Sequence, residues 1–206
     1  MKQKFIEEQE DIEEPRKSPI WYIIGPILAL LVILMVFPPY AIKLDPQPKD
    51  IPSLPEALPA QIYTMNVTQA RHTTADLGKF DFSSDTIVKQ VADKVAAKSC
   101  PSSKLCQAKA LFYFTRDNIK YISDPKEYVK SPHETLLTGG GDCDDMAVLL
   151  LNLEKAIGVE AIYARSPNHL FVEIRIEDAP KGYQRDGWIP LDPTCKSCGF
   201  GETPYP

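Results

Sequence analysis

The run Gly139-Gly140-Gly141-Asp142-Cys143-Asp144-Asp145 brings a lone cysteine to a glycine-rich turn, and the apolar stretch Met146 to Leu153 follows at once. A turn that opens into an apolar helix puts Cys143 in the first helical turn. There the leading N–H groups have no internal partner, and the aligned peptide dipoles leave about half a positive charge. A thiol at that point ionises more readily, and the thiolate is the nucleophilic form. The bland account makes Cys143 a small buried residue near an ordinary helix start. The flanking Asp142, Asp144 and Asp145 cut both ways. Carboxylates suit a helix N-terminus, but three of them oppose a thiolate unless an imidazolium offsets their charge. A metal reading of this acidic cluster lacks ligand spacing.

A nucleophilic cysteine needs a base that takes its proton and later protonates the leaving group, a task suited to imidazole. Three histidines are present. His72 lies in a poorly patterned entry segment and His133 in a loop beside Pro132. His169 opens an alternating stretch that should lie beside the Cys143 helix. Its orienting acceptor is Asp192, which closes Trp188-Ile189-Pro190-Leu191-Asp192-Pro193-Thr194. Cys143, His169 and Asp192, each on its own element, follow the nucleophile, base and orienter logic of cysteine acyl transfer. Singly, His169 reads as a half-buried histidine and Asp192-Pro193 as a turn initiator; the order of all three carries the argument.

The positioning elements follow from periodicity. Ile87, Val88, Val91 and Val95 recur at helical spacing after Ser84 or Asp85, to about Lys98. A second helix covers about Ser103 to Asn118, with Leu105, Ala108, Leu111, Phe112 and Thr115 on one face. Tyr121 to Leu137, broken by Asp124-Pro125 and Ser131-Pro132, reads as loop with a short helical turn. The central helix runs from Asp142, its N-cap, to about Ile157, with Gly158 as a left-handed terminator. It is apolar over most of its circumference and should be buried. The period then becomes two: Glu160 to Ala164, His169 to Ile176 and Gly187 to Leu191 read as strands. Helices first and strands second indicate an α+β domain, with an antiparallel sheet packed on the cysteine helix.

Three blocks carry a family resemblance: Gly141 to Asp145 with its apolar helix, Asn168-His169-Leu170-Phe171-Val172-Glu173, and Trp188 to Thr194. In order and spacing they resemble the transglutaminase-like superfamily, and Ala110 to Tyr121 resembles the helix that precedes its cysteine. The similarity spans about residues 84–194. It implies a papain-like α+β fold and a Cys143–His169–Asp192 triad. It leaves the reaction open, because the superfamily holds crosslinkers, amidases, peptidases and inactive binding domains. The large calcium-dependent crosslinkers carry extra β domains for which this chain has no length, so calcium is not carried over and no cofactor is expected. Those enzymes use a tryptophan upstream of the cysteine to assist the oxyanion; here the tryptophans are Trp21 and Trp188. The Cys143 N–H is expected to supply one oxyanion donor, and the second is unassigned.

The whole chain sets the context. Its 206 residues are 44% hydrophobic and 25% charged, an ordinary globular balance. The net charge of −5, with no basic run, excludes nucleic acid as a partner. Residues 20–37 contain no charged side chain and continue through Pro38, Pro39, Tyr40, Ala41 and Ile42, enough to cross a bilayer. Trp21, Tyr22 and Tyr40 lie at the ends, where amphipathic rings prefer to sit. An acidic leader and the lack of a small-residue cleavage site argue against a cleaved signal peptide. Lys2, Lys4, Arg16 and Lys17 before the span, against Lys43 and Lys49 after it, put the N-terminus in the cytoplasm. Seven prolines between 38 and 60 read as a semi-rigid spacer. Asn66-Val67-Thr68 matches a glycosylation acceptor.

Of five cysteines, Cys100/Cys106 and Cys195/Cys198 form close pairs. Two disulfides plus a reactive thiol is the preferred reading; zinc held by Cys100, Cys106, Cys195 and Cys198, or free thiols, are the alternatives. The expected organisation is a cytoplasmic tail (1–19), a transmembrane anchor (20–42), a Pro-rich linker (43–60) and a transglutaminase-like domain (61–206). The expected activity is that of an extracytoplasmic, membrane-anchored cysteine enzyme acting on amide bonds of protein or peptide substrates through a thioester, by transfer or hydrolysis. The alternative is a catalytically inactive surface-anchored binding or scaffolding module of the same fold. Cell-wall endopeptidases share the papain-like chemistry but fit the Asp192-Pro193-Thr194 block less well.

Overall fold

A computed structural model describes residues 19–65, 74–123 and 128–204. The chain divides into two compact units, Met1–Ala41 and Ile42–Pro206. His72, the Asn66-Val67-Thr68 acceptor and nearly all of the expected tail lie outside the described residues. The expected anchor falls on α1 (Trp21–Leu44). Its side chains are described from Trp21 to Val36, and the large apolar ones among them are exposed. Among the described residues no helix is long and apolar enough to cross a membrane.

In the second unit, two long helices pack side by side. Asp85 caps α3 (Thr86–Ser99) by accepting from the N–H groups of Ile87 and Val88, and Ile87, Val88, Val91 and Val95 are buried. Ser103 caps α4 (Lys104–Asn118), and Leu105, Ala108, Leu111, Phe112 and Thr115 are all buried, as their spacing predicts. The Cys100–Cys106 disulfide closes the connection between the two helices. Burying these two apolar faces against a third helix builds the core.

From Asp45 on, the Pro-rich stretch lies against the domain instead of standing off as a spacer. Pro55 falls in the first turn of α2 (Leu54–Ala57), where a missing N–H costs nothing. The Leu54 N–H donates to Asn118 Oδ1 at 2.8 Å, the Lys49 N–H donates to the Ser99 carbonyl, and Ala57 and Ile62 are buried. Asp45, directly after α1, pairs with Lys109 of α4, whose side chain has no exposure worth counting. Tyr183 completes this cluster: its hydroxyl donates to Asp45 Oδ2, and its ring lies under the Lys109 ammonium at 4.7 Å.

The sequence between α4 and the cysteine holds more structure than a loop. After α4, β1 (Lys120–Tyr121) pairs in parallel with β2 (Gly140–Gly141). Between them α5 (Pro132–Thr138) is capped by Ser131 and ends on Gly139 at φ 63°, the left-handed conformation that glycine adopts without a Cβ clash. The central helix α6 (Cys143–Ala156) follows, buried from Asp145 to Glu154. It contacts α3, α4 and α5, and it also packs on β3 (Glu160–Ser166) and β4 (His169–Arg175). These strands and β5 (Ile189–Leu191) form an antiparallel sheet in the order β3-β4-β5. The fold is therefore α+β, with the cysteine helix between helices and sheet.

Candidate active site

Cys143 is the first residue of α6, and the turn around it is tightly held. Asp142, the N-cap, accepts through Oδ1 from the N–H groups of Asp144 and Asp145, at 3.1 and 3.3 Å. Asp145 reaches back and accepts from the Asp142 N–H. Asp145 is fully buried, and it also accepts from the Lys130 N–H and from Lys130 Nζ, each at 2.7 Å. A Cβ on Gly141 would come within 2.5 Å of the Asp145 Cβ, so only glycine permits this approach. Asp145 thus serves the turn and not the chemistry.

The base and orienter stand on the sheet. His169 Nε2 and Asp192 Oδ2 are 2.9 Å apart, and Asp192 is 1% exposed. The remaining oxygen, Oδ1, accepts from the Thr194 N–H at 3.0 Å and from the Thr194 hydroxyl at 2.6 Å. The carboxylate is thus held at both oxygens, and the imidazole is oriented through one nitrogen. With Nε2 engaged, proton exchange with a thiol falls to Nδ1. The His169 ring also stacks on Phe171 at 6.4 Å.

One cleft of about 460 Å³ brings the thiol and the imidazole together. Asp142, Cys143 and Asp144 form its helical wall; Arg165, Ser166, Asn168 and His169 from the β3–β4 hairpin face them. Asp192 lies behind His169 and outside the lining. Asn168 sits at φ 60°, in the two-residue turn that joins Ser166 to its cross-strand partner His169. The other sequence candidates go elsewhere. His133 is buried, with Nε2 2.8 Å from Asp85 Oδ1, so it locks α5 to the α3 cap. Trp188 lies under the Arg175 guanidinium at 4.2 Å and is not part of the cleft wall.

The electrostatics of the thiol differ from the simple helix-terminus expectation. Burial pushes the Cys143 thiol up from its ordinary value, and the charges of Asp144 and Asp142 add to the rise. A hydrogen bond from the Leu170 N–H and the helix N–H at Asp144 act the other way. Asp142 is itself pushed up to about 6, by burial first and then by Asp145. Asp144 is raised by burial and Asp145, while Arg165 and His169 pull it back. Cys143 Sγ lies 3.8 Å from Asp144 Oδ1. The surroundings of Cys143 taken together thus favour the thiol over the thiolate.

Cys100–Cys106 and Cys195–Cys198 are disulfides, which leaves Cys143 as the free thiol. The zinc alternative for those four cysteines falls, because their sulfurs are bonded to one another. Among the described residues no cluster of His, Cys, Asp and Glu is arranged to hold a metal ion. Three contributors escaped the sequence reading. Thr194 carried a signal, since a hydroxyl two residues after Asp commonly closes a local turn. Lys130 and Ser166 carried none.

A cysteine at the head of a buried helix, with a histidine–aspartate pair on the adjoining sheet, defines the class of cysteine-enzyme folds. A family model described as the transglutaminase-like superfamily matches residues 89–193, just over half of the chain. The chain belongs to that superfamily. Among curated proteins no match is found. The solved structure of a proposed cysteine protease from Cytophaga hutchinsonii is similar at 21% identity, with a TM-score of 0.43. That likeness covers 70% of this chain and 46% of the Cytophaga protein, so the chain spans about half of that protein's length.

Proposed function

We propose that this protein is a membrane-anchored cysteine enzyme that acts on amide bonds of protein or peptide substrates through a thioester. The observation that carries it is the shared cleft of Cys143 and His169, with the imidazole's other nitrogen held by a buried Asp192. Cys143 Sγ attacks the amide carbon as His169 Nδ1 takes the thiol proton. The same proton passes to the leaving amine as the C–N bond breaks, leaving a thioester on Cys143. Water or an amine then attacks the thioester, gives a proton to His169, and the thiolate leaves. Asp192 orients the ring and stabilises its charged form. The Cys143 N–H, at the helix start, is the first oxyanion donor.

The charge-free stretch 20–37 supports the anchor, and the basic residues before it support a cytoplasmic N-terminus. Two disulfides fit an oxidising compartment for the rest. The non-catalytic module is the second reading, favoured by the upward push on the thiol. Iodoacetamide labelling between pH 6 and 7 separates them. The enzyme reading expects fast labelling of Cys143 that falls by about 10²-fold or more in His169→Ala, the lower end of what a positioned acid–base group supplies. Labelling as slow as an ordinary thiol and indifferent to His169 rejects it.

A further inference from the structure

The thioester mechanism names the thiol, the base and the orienter, but not what receives the second substrate. That substrate must reach His169, since His169 takes its proton. The cleft wall next to His169 that does not belong to the cysteine helix is the end of the β3–β4 hairpin. Ser166 and His169 are directly opposite one another in the antiparallel ladder, so their side chains leave the same face of the sheet. Ser166 lines the cleft, and its hydroxyl oxygen is buried with no hydrogen-bond partner among the described residues. A buried hydroxyl without a partner is costly, and such groups in native structures ask for an explanation. Here the explanation is a partner that arrives with the substrate.

We propose that the Ser166 hydroxyl is the acceptor-binding group of this site: it takes a hydrogen bond from the N–H of an incoming amine while His169 takes the proton that the amine loses. The assignment rests on the thioester reading above. An attacking amine directs its lone pair at the thioester carbon. One N–H points to His169 Nδ1, and Ser166 Oγ satisfies a second. The new C–N bond forms as the C–S bond breaks, the amine proton moves to His169, and from there it returns to sulfur. Water fits the same cleft in several orientations and can be bridged by other waters; an amine carrying a substituent cannot. Ser166 therefore favours transfer over hydrolysis. Pro167 and Asn168 hold the hydroxyl in place by closing the hairpin in two residues, with Asn168 in the left-handed region.

The test uses the full chain, p-nitrophenyl acetate as acyl donor and glycinamide as the amine. Acetylation of Cys143 releases p-nitrophenolate, and the acetyl group then partitions between N-acetylglycinamide and acetate. Once the enzyme-free reaction of the ester with water and amine is subtracted, the product ratio does not depend on how much enzyme is folded, which keeps Ser166→Ala informative even if it is less stable. Loss of one neutral hydrogen bond predicts a transfer-to-hydrolysis ratio about tenfold lower in Ser166→Ala. Ser166→Thr keeps the hydroxyl and restores the ratio. An unchanged ratio in Ser166→Ala, with Cys143 acetylated normally, overturns the Ser166 assignment alone. No acetyl-Cys143 in the unaltered chain overturns the thioester reading and this assignment with it.

Discussion

At Cys143 the helix N-terminus and its own acidic turn pull in opposite directions. The dipole favours a thiolate, while burial and the carboxylates of Asp144 and Asp142 favour the thiol. The base proposed to take its proton, His169, lines the same cleft. Asp142 offers a clean test. Its carboxyl titrates near 6 in the fold, against an ordinary value of 3.8, so the folded chain binds more protons than the unfolded chain between those limits. Its contribution to stability is therefore present at pH 4 and is lost as the pH rises through 6. Asn keeps the capping oxygen but not the charge. Asp142→Asn should thus gain stability relative to the unaltered chain between pH 4 and pH 7, as read from urea midpoints. At pH 7 its Cys143 should also label faster with iodoacetamide, because one of the charges that push the thiol up is gone. A midpoint difference that does not change with pH would remove Asp142 from the electrostatics of the site.

At the scale of elements, the site depends on how the chain enters α6. The β1–β2 ladder, the Gly139 turn and the Asp145–Lys130 pair fix the first turn of the helix from three directions. Asp145 has no exposure, and replacing it with alanine removes acceptors from the Lys130 N–H, Lys130 Nζ and the Asp142 N–H together. Asp145→Ala should cost about 3 kcal/mol in chemical denaturation, the scale for breaking a buried pair by removing one partner. It should also slow His169-dependent labelling of Cys143, because the thiol's position is no longer fixed. Retention of both stability and labelling would show the turn to be held by the ladder alone. Little of this was legible beforehand. The periodicity of α3, α4 and α6 and the alternation in β3 and β4 show in the sequence because each repeats over several residues. A two-residue ladder between Lys120 and Gly140 has no period to read, and a seven-residue helix behind Ser131-Pro132 is scarcely longer than a turn.

For the molecule as a whole, the compact unit begins well before the boundary that composition suggests. Seven prolines between 38 and 60 read as extended spacer, yet this stretch supplies Asp45 to Lys109 and Leu54 and Ala57 to the helical layer. Lys109 is buried among Asp45, Tyr183 and Phe200, and without Asp45 its charge has lost its anionic partner. A chain of residues 61–206 should therefore be less stable than one of 42–206 by at least about 3 kcal/mol in urea unfolding. Lys109→Met in the shorter chain should recover part of the loss, because it removes a charge that has lost its counter-ion. Equal stability of the two lengths would restore the spacer reading.

The order Cys143, His169, Asp192 and the α+β succession around it were written in the sequence, since motif spacing and hydrophobic period are properties of neighbouring residues. So was the charge-free stretch 20–37, which rests on composition alone. What tertiary structure alone decided was the company each of these residues keeps. Asp145 became a bolt for the turn because Lys130, fifteen positions earlier, folds onto it. Asp192 became a fixed acceptor because Thr194 closes on one oxygen while His169, from another strand, meets the other. Ser166 was left lining the same cleft as the thiol, with its hydroxyl oxygen buried and without a partner among the described residues. Burial and long-range hydrogen bonds set these roles, and neither has a pattern along the chain.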